Sequence, residues 1–219
     1  LDVGVDKVAN TLRGLGAKGH INEYPSLLLG AIEMSSFEVA QLYTTIAADG
    51  EYRELTSISA LTDSVGKVLY KHKVSNEQRF DKDAMYMTKY AMKRVTKDGT
   101  AKRLNLHFPS IQLAGKTGTS NELRDSWFAG FDQNTVTVAW IGRDDNKSTG
   151  LTGSVGALET YIRYLKPLNP QAIADTRPPL IRWAFVNEQT GKQAPPGCGK
   201  VIQLPLRASE FKPRPECIR

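Results

Sequence analysis

The sequence is poor in the residues that build metal and cofactor sites. Its 219 residues include only three histidines and two cysteines. His20, His72 and His107 are scattered and form no H-E-x-x-H motif. Two cysteines are also too few for a zinc site made of two C-x-x-C pairs. We therefore predict that the chain binds neither a metal ion nor a cofactor.

Long hydrophobic runs and strong charge patterns are absent as well. A helix that crosses a bilayer needs about 20 consecutive apolar residues, and the most apolar stretch, residues 26–32, is far shorter. The first residues carry no signal-peptide pattern. The net charge of +6 would permit binding to nucleic acid, but no RNP-like motif, helix-turn-helix or Arg-rich stripe is present. We predict no nucleic-acid partner.

The few cysteines and most of the eleven prolines are concentrated near the C-terminus. Cys198 and Cys217 lie close together in sequence, which indicates a local disulfide and an oxidising compartment. This Pro-rich stretch also contains one plausible hairpin that begins at residues 181–186. We predict two parts, residues 1–166 and a β extension of residues 167–219 that the disulfide staples.

The residue patterns before the extension predict an α+β domain, in which helices cover an antiparallel sheet. At the start of the chain, apolar residues already recur at helical spacing, so we expect the chain to begin within a helix. Ser35 and Glu38 form a capping-box pattern at the start of another helix. The predicted helices are residues 1–12, 35–48, 83–95 and 155–165. The predicted strands are a hairpin of residues 53–60 and 67–70, followed by residues 111–119, 126–131 and 136–143.

The strongest chemical signal is the K-T-G motif at the end of the first of these last three strands. Lys116 and Gly118 should point to one face of the strand, and Thr117 and Thr119 to the other. The Lys116 ammonium could polarise a proton-relay hydroxyl and attract an anionic substrate. The two threonine hydroxyls could hold a terminal carboxylate, and the Thr119 N–H could serve as an oxyanion donor. At a sheet edge the strand could also pair with an extended peptide.

K-T-G acts together with S-x-x-K and S-x-N motifs in serine acyltransferases that act on D-alanyl peptides and β-lactams. The chain matches S-x-x-K at Ser64-Val65-Gly66-Lys67, but we expect this match to lie in a hairpin turn. A serine nucleophile of this type needs a helix start, where the lysine lies one turn below the serine. We therefore predict that Ser64 is not catalytic. The chain has no S-x-N.

Several sequence blocks together resemble the class A, bifunctional penicillin-binding proteins. The resemblance covers essentially the whole chain. It is to the C-terminal half of the transpeptidase domain and the tail that follows, and is greatest to the Gram-negative 1B subtype. The blocks are residues 29–31 (LGA), 36–41 (SFEVAQ), 99–101 (GTA), 113–120 (LAGKTGTS), 125–131 (DSWFAGF), 140–145 (WIGRDD) and 189–192 (QTGK), with the tail cysteines.

This resemblance implies a penicillin-binding fold and a D,D-transpeptidase that cross-links peptidoglycan stem peptides through an acyl-serine. It also implies β-lactam binding, a glycosyltransferase in the parent protein, partner proteins of cell-wall synthesis, and a periplasmic location at the inner membrane. Lys116 would be the catalytic residue present, and Thr117, Gly118 and Thr119 would bind substrate. We expect the nucleophile and the membrane anchor to lie upstream, and this chain alone to be inactive.

Two other interpretations remain open. A D,D-carboxypeptidase or a serine β-lactamase shares the K-T-G motif and the fold. Both are typically smaller and lack this tail. A non-catalytic basic interaction module is a different class, motivated by the net charge of +6.

Overall fold

A computed structural model describes residues 3–212 and Cys217. Helices and strands are mixed along this part of the chain, which confirms the α+β prediction. The helices are α1 (Val5–Leu15), α2 (Ser36–Ala47), α3 (Lys82–Lys97), α4 (Arg103–His107) and α5 (Ala157–Leu165). The strands are β1 (Glu51–Arg53), β2 (Ala60–Thr62), β3 (Val68–Lys71), β4 (Asn76–Gln78), β5 (Ala114–Thr119), β6 (Ser126–Phe131), β7 (Val136–Ile141), β8 (Ile181–Asn187) and β9 (Val201–Arg207).

The central sheet consists of β5, β6 and β7 in that order, and both pairs are antiparallel. The register places Gly118 opposite Trp127, and Trp127 opposite Trp140. Short polar connections between consecutive strands favour this arrangement. The three strands predicted from alternating residues are thus confirmed, although β5 begins at Ala114 instead of residue 111.

Helices cover both faces of this sheet, because each face carries apolar side chains that must be buried. On one face, Phe128 is fully buried and its ring meets Tyr161 of α5 edge-on, with 4.6 Å between the centroids. On the other face, Phe131 packs with residues of α1, α2 and α3. The first core contains Ala101, Leu104, Phe108, Leu113, Phe128, Ala139, Ala157, Leu158, Tyr161, Ile162 and Leu165. The second contains Leu15, Leu42, Ile46, Met85, Met92, Ala114, Phe131 and Ile173.

The first helix differs in its bounds from the predicted residues 1–12. It begins at Val5 after Gly4 and ends at Leu15, so residues 3 and 4 are not helical and the helix continues beyond residue 12, whereas residues 1 and 2 lie outside the described residues. Gly16 adopts a φ of 113°, and its N–H donates to carbonyls of the last turn. This left-handed conformation favours glycine and ends the helix.

The capping box at the start of α2 is confirmed. The Ser35 hydroxyl accepts from the Glu38 N–H at 3.2 Å, and the Glu38 carboxylate accepts from the Ser35 N–H at 2.8 Å. These hydrogen bonds satisfy donors that a helix N-terminus leaves without intrahelical partners. The hydrogen bonds that the Ser35 N–H and the Ser35 hydroxyl donate to the Glu38 carboxylate lower the pKa of Glu38.

The predicted hairpin of residues 53–60 and 67–70 is only partly correct. The turn at residues 63–66 forms, but the paired strands are β2 and β3, and β1 pairs instead with β4. Gly66 has a φ of 85° in the turn, and the Asp63 carboxylate accepts from the N–H groups of Val65 and Lys67. This turn chemistry fixes where the strands begin, which the apolar spacing of the preceding residues misplaced.

The C-terminal extension is a hairpin of β8 and β9, as predicted, and it lies against α3. The Tyr90 hydroxyl donates to the Gln203 carbonyl at 2.9 Å, and the Trp183 ring meets the Tyr90 ring edge-on at 5.2 Å. The Cys198–Cys217 disulfide is present, with 5.5 Å between the Cα atoms. The prolines at positions 213 and 215 lie outside the described residues. The division at residue 166 stays a prediction.

Candidate active site

The K-T-G motif forms the end of β5, which is an outer strand of the described sheet. Just beyond it, the Ser120 N–H donates to the Asp125 carbonyl at 3.1 Å, towards the neighbouring chain segment. The direction of the backbone groups alternates along an antiparallel strand. The N–H and C=O groups of Gly118 therefore also point towards β6, whereas those of Thr117 and Thr119 point to the outer edge of the sheet. The edge that the peptide-pairing hypothesis requires is therefore available.

Lys116 and Gly118 share the face of β5 that also carries Trp127. The Lys116 side chain is exposed, and its ammonium donates to the Thr117 carbonyl at 2.7 Å. A methyl group on Gly118 would lie 3.1 Å from Cβ of Trp127, so glycine keeps this face shallow. Trp127 in turn contacts Trp140, with 6.0 Å between ring centroids.

The two threonines of the motif occupy the opposite face and have different surroundings. Thr117 is buried, and its hydroxyl forms a 2.6 Å hydrogen bond with the hydroxyl of Thr100. Thr119 is exposed, and its hydroxyl accepts from the Gly153 N–H at 2.9 Å. The predicted distribution over two faces is thus what the structure shows, but of the two threonines only Thr119 is exposed.

Sequence reasoning did not single out Thr100 or Gly153 as neighbours of the motif. Thr100 stands in the GTA block that was recognised only as part of the family resemblance. Gly153 precedes α5 in the segment Gly153-Ser154-Val155-Gly156. Two glycines at the start of a helix, where capping side chains are usual, are a signal of close backbone approach that could have identified this segment.

Neither S-x-x-K match supplies a nucleophile helix. Ser64 is exposed in the turn between β2 and β3, as predicted. A second match, Ser209 to Lys212, which sequence reasoning overlooked, lies in the tail, where Ser209 is exposed in the short 3₁₀ helix Ala208–Glu210. Neither serine starts an α-helix that would place its lysine one turn below it.

Two general findings concern the part of the chain that the structure describes. Within residues 3–212 and Cys217, no three His, Cys, Asp or Glu side chains are grouped so that they could hold a metal ion. Over the same residues, none of the helices combines the length and hydrophobicity that crossing a membrane requires.

Comparison with known proteins identifies the family. The family model described as "Penicillin binding protein transpeptidase domain" matches residues 13–156, a segment that includes the K-T-G motif. The chain belongs to this transpeptidase family. Its relatives include penicillin-binding protein 1B of Vibrio cholerae, 38% identical over 99% of this chain, and penicillin-binding protein 1B of Escherichia coli, 40% identical over 79%.

These relatives are much longer than the chain, which covers 28% and 22% of their respective lengths. Among solved structures, penicillin-binding protein 1A from Haemophilus influenzae superposes with a TM-score of 0.78 over 92% of this chain and 36% of that one. At 23% identity this likeness shows the shared fold. The family resemblance inferred from the sequence blocks is confirmed.

Proposed function

We propose that this chain forms the K-T-G side of a D,D-transpeptidase active site, which cross-links peptidoglycan stem peptides through an acyl-serine and binds β-lactams. The observation that carries the proposal is the K-T-G motif on an outer strand whose threonine backbone groups face outwards, in a chain of the transpeptidase family. An extended peptide could add to this edge by main-chain hydrogen bonds.

Lys116 would act as an electrostatic group. Lys116 is exposed on β5, and its ammonium would attract the carboxylate of the substrate and polarise the hydroxyl that relays a proton to the leaving group. The contact with the Thr117 carbonyl holds it close to the strand, so little reorganisation is needed when substrate arrives.

Residues 117–119 would bind the substrate in different ways. Thr119 is exposed, and its hydroxyl would donate to the terminal carboxylate of a stem peptide or a β-lactam. Thr117 would contribute its outward-facing N–H, because its hydroxyl is paired with Thr100 and its carbonyl accepts from Lys116. Gly118 would leave the room that the acyl chain needs, and the Thr119 N–H would be one oxyanion donor.

The nucleophilic serine and its lysine base would come from a segment upstream of this chain, as would the glycosyltransferase and the membrane anchor of a bifunctional parent protein. The curated relatives are several times longer than this chain, which leaves room for these parts. Relatives from Gram-negative bacteria support a site on the periplasmic side of the inner membrane. The disulfide fits this oxidising compartment.

The test is acylation by a fluorescent penicillin. We expect no covalent labelling of the 219-residue chain alone, and labelling of an extended protein that includes the upstream S-x-x-K and S-x-N segment. In the extended protein, Lys116→Ala should slow labelling by about 100-fold or more, the effect typical of losing an electrostatic group from an active site. Lys73→Ala, at an exposed lysine away from the motif, is the matched control.

Labelling of the short chain that disappears on Ser64→Ala would contradict the proposal, because it would place the nucleophile in the hairpin turn. Equal labelling of Lys116→Ala and the unaltered extended protein would remove Lys116 from the site.

A further inference from the structure

We propose that Gly153 is a positioning residue, whose backbone N–H fixes the Thr119 hydroxyl so that its hydrogen is directed towards the substrate carboxylate. The inference rests on the proposed function, in which Thr119 contacts that carboxylate. It adds a residue outside the K-T-G motif, on the loop that leads into α5 (Ala157–Leu165).

The hydrogen bond between Gly153 and Thr119 can have only one direction. A backbone N–H can only donate, so the Thr119 oxygen is the acceptor in its 2.9 Å contact with Gly153. A hydroxyl has one hydrogen and two lone pairs. With one lone pair taken by Gly153, the hydroxyl keeps its hydrogen for an acceptor on the solvent side, where Thr119 is exposed. A carboxylate is such an acceptor.

At Gly153 the loop before α5 approaches the backbone of β5 and β6 closely. A methyl group on Gly153 would lie 2.5 Å from the Gly118 carbonyl oxygen, 2.6 Å from the Trp127 carbonyl oxygen and 3.0 Å from the Gly118 nitrogen. All three are backbone atoms of paired strands, which cannot move aside as a flexible side chain could. Any side chain at Gly153 therefore separates the loop from β5 and lengthens the bond to Thr119.

The loop is also anchored to β6, the strand next to β5. Ser126, which is fully buried in β6, donates to the Thr152 carbonyl at 2.8 Å and accepts from the Ala157 N–H at 2.9 Å. Gly153 lies between these two anchored residues. The Gly153 N–H is thus held at a fixed position next to Thr119, and the orientation of the Thr119 hydroxyl is set before substrate binds.

The same loop offers a matched control at Gly150. A methyl group there would meet nothing within 4 Å, and the φ of this residue is 69°. Asparagine tolerates this left-handed conformation better than most residues. Gly150→Asn therefore adds a side chain to the loop without pushing it away from β5.

The experiment measures acylation of the extended protein by a penicillin and by the methyl ester of the same penicillin, which lacks the carboxylate charge. We compare Thr119→Val, Gly153→Ala and Gly150→Asn with the unaltered protein. Thr119→Val should lose about 10- to 100-fold of its rate with the acid, the range expected for a hydrogen bond to a charged group. Its rate with the ester should change little.

Gly153→Ala should lose at least about 10-fold with the acid, for the same reason, and should likewise keep its rate with the ester. Gly150→Asn should keep both rates. If Gly153→Ala does not fold, as judged by circular dichroism, Ser126→Ala provides a second variant that loosens the loop from its far side. It should lower the ratio of acid to ester rates in the same direction.

Two outcomes distinguish the contact of Thr119 with the carboxylate from the role of Gly153. If Thr119→Val leaves the ratio of acid to ester rates unchanged, the proposed contact between Thr119 and the carboxylate fails, and the inference fails with it. If Thr119→Val lowers this ratio but Gly153→Ala slows both reactions equally or neither, Gly153 has only a structural role and the inference alone is overturned.

Discussion

Ser126 connects the central sheet to the start of α5, and its removal should destabilise the fold measurably. Its side chain is fully buried, and its hydroxyl forms two hydrogen bonds, one to the Thr152 carbonyl and one from the Ala157 N–H. Ala157 is the first residue of α5, and the residue before it, Gly156, has no side chain that could cap the helix. Ser126 thus supplies from a neighbouring strand the cap that the helix lacks.

The magnitude follows from what Ser126→Ala leaves behind. A buried polar group that loses its only partner costs about 1–3 kcal/mol, and the loss of a helix cap costs about 0.5–2 kcal/mol. The Ala157 N–H is counted in both ranges, so the two cannot simply be added. The Thr152 carbonyl keeps the N–H groups of Val155 and Gly156 as donors, so only the Ala157 N–H loses its partner. We expect a decrease of about 1–3 kcal/mol in the free energy of unfolding. For a chain of this size this corresponds to a decrease of about 2–12 °C in Tm.

Urea unfolding followed by tryptophan fluorescence would measure this loss, because Trp127 and Trp140 lie on β6 and β7. The matched control is Ser57→Ala at an exposed serine, which should change the free energy of unfolding by less than about 0.5 kcal/mol. A change for Ser126→Ala no larger than that of the control would refute the assignment of two buried hydrogen bonds to this hydroxyl.

Two further predictions concern the tail and the start of α2. Cys198→Ser removes the disulfide to Cys217, and this loss should lower the free energy of unfolding by about 3 kcal/mol, the chain-entropy value for a loop of this size. Limited proteolysis should then cut the C-terminal tail first. Unchanged resistance to proteolysis would contradict a stabilising role for the disulfide. The lowered pKa of Glu38 means that its capping bonds stabilise the fold above the usual carboxyl pKa of 4.5, and that this contribution is lost as the pH falls through the folded-state value. Glu38→Gln should weaken the fall of the urea midpoint on acidification, whereas Glu33→Gln, at an exposed carboxylate, should not.

Local patterns predicted the parts of the fold in which neighbouring residues decide the structure. The alternation in β5, β6 and β7 and the capping box at Ser35 and Glu38 are both visible within a few residues, and both are present. The errors fall where longer-range pairing decides. Residues 53–60 have the composition of a strand, but β1 ends at Arg53 because its partner is β4, more than twenty residues later in the chain.

The candidate site shows the same division. K-T-G and the two faces of its strand follow from the sequence, since side-chain direction alternates with a period of two. The contacts of Thr117 with Thr100 and of Thr119 with Gly153 join residues far apart in the chain. No local pattern in the sequence indicates such contacts, because the residues become neighbours only when the chain folds.

These contacts indicate that the two faces of β5 have different roles. The threonine face is attached to the body of the domain, through Thr100 at one point and Gly153 at the next. Lys116 and the outer edge of the strand remain exposed for a ligand. Substitutions that break the bond between Thr117 and Thr100 should consequently alter substrate binding by moving the strand, whereas Lys116→Ala should alter it by removing a charge. Only the charge effect should weaken as the salt concentration rises, so salt dependence of acylation distinguishes the two kinds of residue.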